Sequence, residues 1–400
     1  MGKRTARVFR WLTLAWGTVI FVGAGFRVLA DCSSFGLPFT DLGSVSGFCA
    51  AIAEAYYTGI TNGTSATTFS PNANVTRVQA AAFATRTLDA ALTRGSRRAA
   101  LGQWWNSAPH FDQGFGLTTV GSHPELLQSD GTDVWVANTV SGTVSRVSES
   151  DGRLLDTWTG ATDATGVLVA MGRVFVTGSN IDTNNLYMID PSQTAGTVTT
   201  VTTGVGNGPW GIVFDGNNIW TANTGGSVSI ITPGTWSVTT VTTGFSHPIG
   251  ILFDGTNAWV TDQGDDTLKK LNADGSIAQS VTVGSSPRFP VFDGHNVWVP
   301  NFFDSSLTVV RAFDGKVLKT FSAGNENQNG LNLPIMAAFD GQRVLVTNIN
   351  NGGGVSLFKA TDLSPIGAFT TPGVSGPFGS CSDAVNFWVS FAGSGEIGRF

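Results

Sequence analysis

Residues 248–283 read PIGILFDGTNAWVTDQGDDTLKKLNADGSIAQSVTV, and the architecture of the chain can be predicted from this stretch. It contains four β-rich runs separated by clusters of Gly, Asn and Asp. Asp254-Gly255 between two apolar runs is a strong hairpin signal, because Gly accepts the positive φ that the turn requires. The stretch therefore predicts a four-stranded antiparallel meander, with Trp259 on a second strand suited to a pleated, buried surface.

The same pattern occurs seven times: an Asp-Gly turn, or a variant of it, followed by an apolar run around a large residue. Successive copies lie 39 to 47 residues apart, as Trp220 to Trp259 and Trp298 to Leu345 show. The seven central residues are Trp135, Phe175, Trp220, Trp259, Trp298, Leu345 and Trp388. A period of ~40–45 residues is typical of propeller blades, which must stack to bury both faces. We expect an all-β seven-bladed β-propeller of four-stranded antiparallel blades over residues 116–400.

The way the ring closes can also be predicted. Only one strand fits after Trp388, at residues 395–400, so the last blade lacks its outer strand. Residues 117–121 (LTTVG) precede His123-Pro124 much as residues 238–244 precede His247-Pro248. We expect this N-terminal strand to complete the last blade, which leaves no open sheet edge.

Composition excludes one class of partner and favours export. The net charge is −6 and 12% of the residues are charged, with no basic stripe to neutralise phosphates, so we expect no nucleic-acid binding. Apolar residues make up 41% of the chain, enough for a large core. Thr, Ser, Gly and Asn fill the surface positions, as is common in exported β proteins.

Residues 1–30 have the pattern of a signal peptide. Lys3, Arg4, Arg7 and Arg10 precede an apolar stretch at residues 11–25, and Ala30 ends a small-residue cleavage site. The alternative is an uncleaved membrane anchor, although the apolar stretch is shorter than the ~18–20 residues that span a bilayer. We expect a secreted, extracytoplasmic protein that contacts the membrane only through this segment if it is uncleaved.

The three cysteines point to structural roles. Cys32 and Cys49 are a candidate disulfide pair in an oxidising compartment, whereas Cys381, on the first strand of the last blade, is expected to be a buried free thiol. None of them has metal-ligand spacing.

Residues 31–93 form a small module before the ring, followed by a connector at residues 94–115. The pattern is helix, Gly-rich loop, helix, with Thr76 as N-cap and Gln79 completing a capping box. Its motifs are Phe39-Thr40-Asp41, GITNG at residues 59–63, FSPN at residues 69–72 and Thr76-Arg77.

This order of motifs resembles a single S-layer homology module. The resemblance implies an α-helical module that attaches non-covalently to a cell-wall polysaccharide or peptidoglycan, with Asp41, Thr76 and Arg77 at the anionic glycan. The alternative is a capped helix with a solvated Arg77. Proteins that anchor firmly through this family usually carry three modules, and this chain has one.

Polar residues recur on one face of the ring. The third residue beyond five of the second-strand aromatic positions is Asn or Asp: Asn138, Asn223, Asp262, Asn301 and Asn348. His123 and His247 precede matching prolines on the same face. Together they are a candidate rim that binds an unknown glycan, peptide or protein. The alternative for the Asn/Asp series is an Asx turn that closes the hairpin in each blade.

The blades resemble the bacterial YVTN and streptogramin-lyase-like propellers over residues 116–400. A lyase of that type would use His with Glu and a metal on one face. The sequence indicates no His followed by a nearby Glu that is placed to share a metal on the rim, and His123 and His247 fall on nearly opposite blades. No Ser/His/Asp set, phosphate loop or zinc spacing is visible, so no catalytic residue, metal or cofactor is assigned.

Two functions follow. The first is an exported, envelope-associated propeller with a non-catalytic binding or scaffold role. The alternative is a secreted metal-dependent lyase or hydrolase of the streptogramin-lyase-like type.

Overall fold

The computed structural model describes residues 38–42, 52, 61, 64–65, 67–76, 80, 116–180, 183–324, 329–349, 354–371 and 373–400. The chain divides into two compact units, Met1–Arg94 and Gly95–Phe400. The predicted signal segment, the Cys32–Cys49 pair, the connector, Arg77 and most of the predicted helical residues lie outside the described residues.

The second unit is a ring of β-strands. The strands of blades one to three are β2 (Pro124–Ser129), β3 (Asp133–Asn138), β4 (Thr143–Ser148), β5 (Leu154–Thr159), β6 (Ala164–Ala170), β7 (Arg173–Asn180), β8 (Thr183–Ile189), β9 (Thr199–Thr202), β10 (Pro209–Phe214), β11 (Ile219–Asn223), β12 (Ser227–Thr232) and β13 (Ser237–Val241). The strands of blades four to seven are β14 (Pro248–Phe253), β15 (Ala258–Asp262), β16 (Thr267–Leu271), β17 (Ile277–Thr282), β18 (Val291–Phe292), β19 (Asn296–Asn301), β20 (Ser306–Arg311), β21 (Lys316–Ser322), β22 (Pro334–Phe339), β23 (Arg343–Asn348), β24 (Gly354–Lys359), β25 (Ser364–Thr370), β26 (Pro377–Ser382), β27 (Phe387–Phe391), β28 (Glu396–Arg399) and the N-terminal β1 (Leu117–Thr119).

These strands form seven four-stranded antiparallel sheets, so the predicted fold is confirmed. In six sheets the strands follow chain order. In the seventh the order is β1-β28-β27-β26, with Leu117 opposite Gly398 and Thr119 opposite Glu396. The N-terminal strand thus completes the last blade, as predicted.

The core lies between neighbouring blades. The second strand of each blade is buried, and the five Trp side chains at its centre are each less than 2% exposed. Trp259 of blade four, for example, packs in one cluster with Val297 and Val299 of blade five. The outer strands face solvent, as the exposed pattern of β21 shows. Each blade therefore buries its faces only against its neighbours, which is why the ring must close.

In blade five the first strand is shortened to two residues. Pro287 and Pro290 lack the N–H groups that a strand donates, so only Val291 and Phe292 form regular ladder pairs with β19. Arg288 still donates its backbone N–H to the Pro300 carbonyl at 2.8 Å.

Within the first unit, Asp41 fastens the loop around Phe69. Its carboxylate accepts the backbone N–H groups of Phe69 at 2.9 Å and Ser70 at 2.7 Å. Phe39, Leu42 and Ile52 form a small buried cluster, against which Phe69 packs. Hydrogen bonds from Phe69 and Ser70 lower the pKa of Asp41.

The described part of the chain contains no helix with the length and apolar character needed to cross a membrane.

Candidate functional site at the channel mouth

One hydrogen bond repeats in all seven blades and shapes one end of the central channel. A backbone N–H near the end of the second strand, or just beyond it, donates to a backbone carbonyl that precedes the first strand, at 2.9 to 3.3 Å. We call the seven donor residues the outer ring: Thr139, Ser179, Thr224, Gln263, Phe302, Ile349 and Ala392. All seven are half-buried. The outer ring is polar in blades one to four and apolar in blades five to seven.

A second set of residues lies beside it. Each follows a residue that pairs with the residue just before an outer-ring member, as Pro248 pairs with Asp262, which precedes Gln263. This inner ring consists of Glu125, Thr165, Trp210, Ile249, Arg288, Ile335 and Phe378. Together, the inner and outer rings form the channel mouth.

Apolar side chains from different blades, three of them from the inner ring, meet at the channel axis and close the channel at the floor of the mouth. Leu126, Ile249, Phe289, Ile335 and Phe378 form this plug, and Trp210 stacks on Phe289 at 5.8 Å between ring centroids. On the other side of the plug, first-strand residues of all seven blades line a cavity of about 450 Å³. The mouth is therefore separated from this cavity.

A contact between blades fixes the backbone of the inner ring. The hydroxyl of Thr261 donates to the Arg288 carbonyl of the next blade, and the hydroxyl of Ser390 donates to that of Glu125, both at 2.6 Å. Gly250 and Gly379 allow this approach, because a Cβ there would lie 2.6 Å and 2.2 Å from these carbonyl oxygens. The local sequence therefore holds Glu125 and Arg288 firmly at the mouth.

Glu125 is the acidic residue of the inner ring. Its side chain is 7% exposed, its Oε1 lies 3.8 Å from Nε2 of His123, and its Oε2 has no hydrogen-bond partner. Burial raises the pKa of Glu125 to about 7, and a hydrogen bond with the Thr139 hydroxyl opposes this shift. Near neutral pH this carboxyl group can therefore either donate or accept a hydrogen bond.

Arg288 is the basic residue of the inner ring, in blade five. Its guanidinium carbon lies 4.8 Å from the centroid of the Phe302 ring, and its Nε is buried without a hydrogen-bond partner. No carboxylate of the described residues pairs with it, whereas Arg146, Arg311 and Arg343 each contact an aspartate. Burial lowers the pKa of Arg288, yet a guanidinium stays charged at neutral pH.

His247 sits close to Arg288 on the neighbouring blade. Burial lowers the pKa of His247; Asp262 opposes this shift and the charge of Arg288 adds to it. The backbone N–H of His247 donates to Asp262 at 2.7 Å, and Lys269 donates to the same carboxylate at 2.6 Å. Burial raises the pKa of Asp262, but the hydrogen bonds from Lys269, Ser246 and His247 bring it below its usual value.

The Asn/Asp series lies beneath the mouth rather than on it. Asn138, Asn223, Asp262 and Asn301 are 0% exposed and Asn348 is 4% exposed. The four Asn side chains donate to Ser or Thr hydroxyls on the third strand of their own blade. Of the five, Asp262 has the contact of an Asx turn, since its Oδ1 accepts the Gly264 N–H at 3.1 Å. These side chains bridge strands, and the binding role predicted for them stays a prediction.

Glu125 follows His123 by two residues, and Nε2 of His123 lies 3.8 Å from Oε1 of Glu125. The expectation that no His and Glu on the rim are placed to share a metal stays a prediction. Blade geometry does separate the two predicted His residues, which belong to blades one and four. No group of three or more His, Cys, Asp or Glu side chains within the described ranges is placed to hold a metal ion.

Three buried polar atoms at the mouth lack hydrogen-bond partners: Glu125 Oε2, Ser179 Oγ and Arg288 Nε. Such atoms are uncommon in folded proteins and each costs free energy. Sequence reasoning missed all three residues. For Glu125 and Arg288 the available signal was a charged residue at a position where the other blades have Thr, Trp, Ile or Phe.

Comparisons with known proteins agree with this architecture. Residues 38–81 match the S-layer homology domain family. Such a domain indicates a cell-surface or envelope-associated protein, and domains of this family generally bind cell-wall polymers. No curated protein matches the chain.

Several solved structures share the propeller fold. A streptogramin B lyase structure has a TM-score of 0.60 and 15% identity, covering 71% of this chain and 95% of that chain. Kuenenia stuttgartiensis hydrazine synthase has a TM-score of 0.59 and 15% identity, and the match covers 71% of this chain and 97% of that chain. The WD40 propeller domain of Doa1 has a TM-score of 0.58 and 14% identity, with 72% and 96% covered. At this identity the likeness shows the fold alone. The chain thus carries an S-layer homology domain at residues 38–81, followed by a seven-bladed β-propeller.

Proposed function

We propose that this is an exported protein of the cell envelope whose module contacts a cell-wall polysaccharide or peptidoglycan, and whose ring binds a ligand at the channel mouth without transforming it. The observation that carries the binding role is the set of unpartnered atoms on Glu125, Ser179 and Arg288. A ligand that supplies their missing hydrogen bonds would offset the cost of burying them.

The arrangement of charges supports binding over catalysis. General acid–base chemistry needs an acid and a base within hydrogen-bond reach of one bond. Glu125 and its neighbour His123 belong to blade one and Arg288 belongs to blade five, so an anionic group held by Arg288 lies away from the Glu125–His123 pair. The metal-dependent lyase or hydrolase of the sequence analysis stays a prediction.

Retention of the full chain on purified cell-wall sacculi, with and without attached polysaccharide, tests the envelope role. We expect retention that requires the polysaccharide and falls at least tenfold in Arg77→Ala, the residue implied by the family resemblance. Arg311→Ala, at an exposed Arg311–Asp314 pair of the ring, is the matched control and should be retained like the unmodified protein. Equal retention of all three proteins on bare sacculi would contradict the proposal.

A further inference from the structure

Arg288 is a charged residue at the mouth to which the described residues offer no carboxylate partner. Its guanidinium packs on Phe302, its Nε is buried without a partner, and no described carboxylate neutralises it. Arg288 is half-buried, and of its three guanidinium nitrogens only Nε is both buried and without a partner, so the other two remain accessible to a ligand. The planar fork of a guanidinium matches a carboxylate through two parallel hydrogen bonds. The mouth therefore has a built position for an anionic group beside Phe302.

Glu125 and Ser179 offer the complementary polar contacts. Their orphaned Oε2 and Oγ atoms belong to blades one and two, on the other side of the mouth from blade five. A hydroxyl group both donates and accepts, so it can pair with Ser179 and with Glu125 in either protonation state. An ammonium group would instead require Glu125 to be ionised in a buried site.

Apolar surface lies between these two sides. Trp210 is half-buried, with one ring face against Phe289, and Phe302 carries Phe303 against its edge at 5.2 Å. Flat aromatic and apolar surfaces of this kind contact the C–H groups of a compact ring well.

We propose that the channel mouth binds an acidic sugar, whose carboxylate pairs with Arg288 and whose hydroxyl groups hydrogen-bond to Glu125 and Ser179. The aromatic side chains of Trp210 and Phe302 contact the body of the sugar. This inference rests on the proposed binding role of the ring and names the class of its ligand.

Saturation-transfer NMR on the full chain at pH 7 tests the proposal with glucuronate and galacturonate against glucose and galactose. We expect each acid to bind at least tenfold more tightly than its neutral counterpart. Arg288→Gln should remove this preference, Arg288→Lys should keep part of it, and Arg311→Gln should leave it unchanged. Equal binding of acid and neutral sugar, binding of neither, or a preserved preference in Arg288→Gln would overturn the proposal.

The comparison of acid with neutral sugar on the unmodified chain decides the question even if a variant folds poorly, which circular dichroism would reveal. Wall polysaccharide before and after chemical reduction of its carboxylates then separates the sources of the acid. Competition by the untreated polymer alone identifies a polymer-borne acid, whereas competition by neither form identifies a free sugar acid. Retention on sacculi without any preference for acidic sugars would reject this inference and leave the envelope role standing.

Discussion

Trp259 donates its indole N–H to Oδ2 of Asp254 at 2.7 Å, while Oδ1 of Asp254 caps the turn by accepting the N–H groups of Thr256 and Asn257. The same pairing recurs at Asp130–Trp135, Asp215–Trp220, Asp293–Trp298 and Asp383–Trp388. One carboxylate thus joins the Asp-Gly turn to the core between blades. The Asp and Trp recur at a fixed spacing in the sequence because five of the blades use this Asp–Trp hydrogen bond to connect the turn to the core.

Replacement of Trp259 by Phe should destabilise the ring by roughly 1–3 kcal/mol, since Oδ2 of Asp254 loses its donor and a cavity opens in a fully buried site. Chemical denaturation followed by far-UV circular dichroism measures this. Trp236→Phe is the matched control, because the half-buried Trp236 donates no indole hydrogen bond within the described part of the chain. Equal losses in the two variants would show that the Asp254 bond contributes nothing.

Gly250→Ala should cost roughly 1–3 kcal/mol, because the new Cβ would lie 2.6 Å from the Arg288 carbonyl and force the two blades apart. We also expect weaker acidic-sugar binding, since Arg288 must move. Gly196→Ala, where a Cβ meets nothing closer than 4.0 Å, serves as the control in the same thermal melts. An unchanged melting temperature for Gly250→Ala would refute the proposed contact.

Glu125→Gln should stabilise the ring at alkaline pH. The pKa of Glu125 is raised from 4.5 to about 7 in the folded state, so the folded protein binds the proton more tightly than the unfolded chain. The contribution of Glu125 to stability is therefore complete below about pH 4.5 and is lost as the pH rises from about 4.5 through 7. Each pKa unit corresponds to about 1.4 kcal/mol, so we expect a gain of roughly 1–3 kcal/mol at pH 8.5 and none at pH 4.

Denaturation curves of both proteins between pH 4 and 8.5 measure this difference. Glu149, whose pKa burial also raises to about 7, remains in the variant, so part of the decline with pH should persist. A pH-independent difference between Glu125→Gln and the unmodified protein would argue against titration of Glu125.

In the module, acid should release the loop that Asp41 holds. The pKa of Asp41 is lowered by hydrogen bonds from Phe69 and Ser70, so its stabilising contribution is complete above the unfolded value of 3.8 and is lost as the pH falls through the folded value. Hydrogen-exchange protection of the Phe69 and Ser70 amides should drop over that range. Asp41→Asn should show low protection at every pH; protection equal to that of the unmodified protein would contradict this role.

Most of the fold could be predicted from the sequence because identical backbone needs recur. Asp254 caps a turn, Gly255 adopts the positive φ of that turn, and Trp259 fills the space between blades, and these local roles are repeated around the ring. The closing strand was predictable because blade seven visibly lacked one. The burial of Asn223 and its relatives was not, since their hydroxyl partners lie on the next strand and become visible only when the strands pair.

The site was harder to predict for the opposite reason. Repetition identifies residues that serve the fold, so a search for recurring side chains found Asn138 and Asn301. Glu125 and Arg288 break the repeat, at a position that faces the channel axis only after seven blades assemble. Residues that depart from a repeat are therefore the better candidates for binding in a ring of this kind.

Strand β1 follows the module in the chain and is the outer strand of blade seven. If the module is held on a wall while a ligand pulls at the mouth, tension enters the ring through the three residue pairs between β1 and β28. Peeling β1 away would expose the β28 edge while the inner strands stay paired. The β1–β28 pairing would then separate at a lower force than the sheets of the ring unfold.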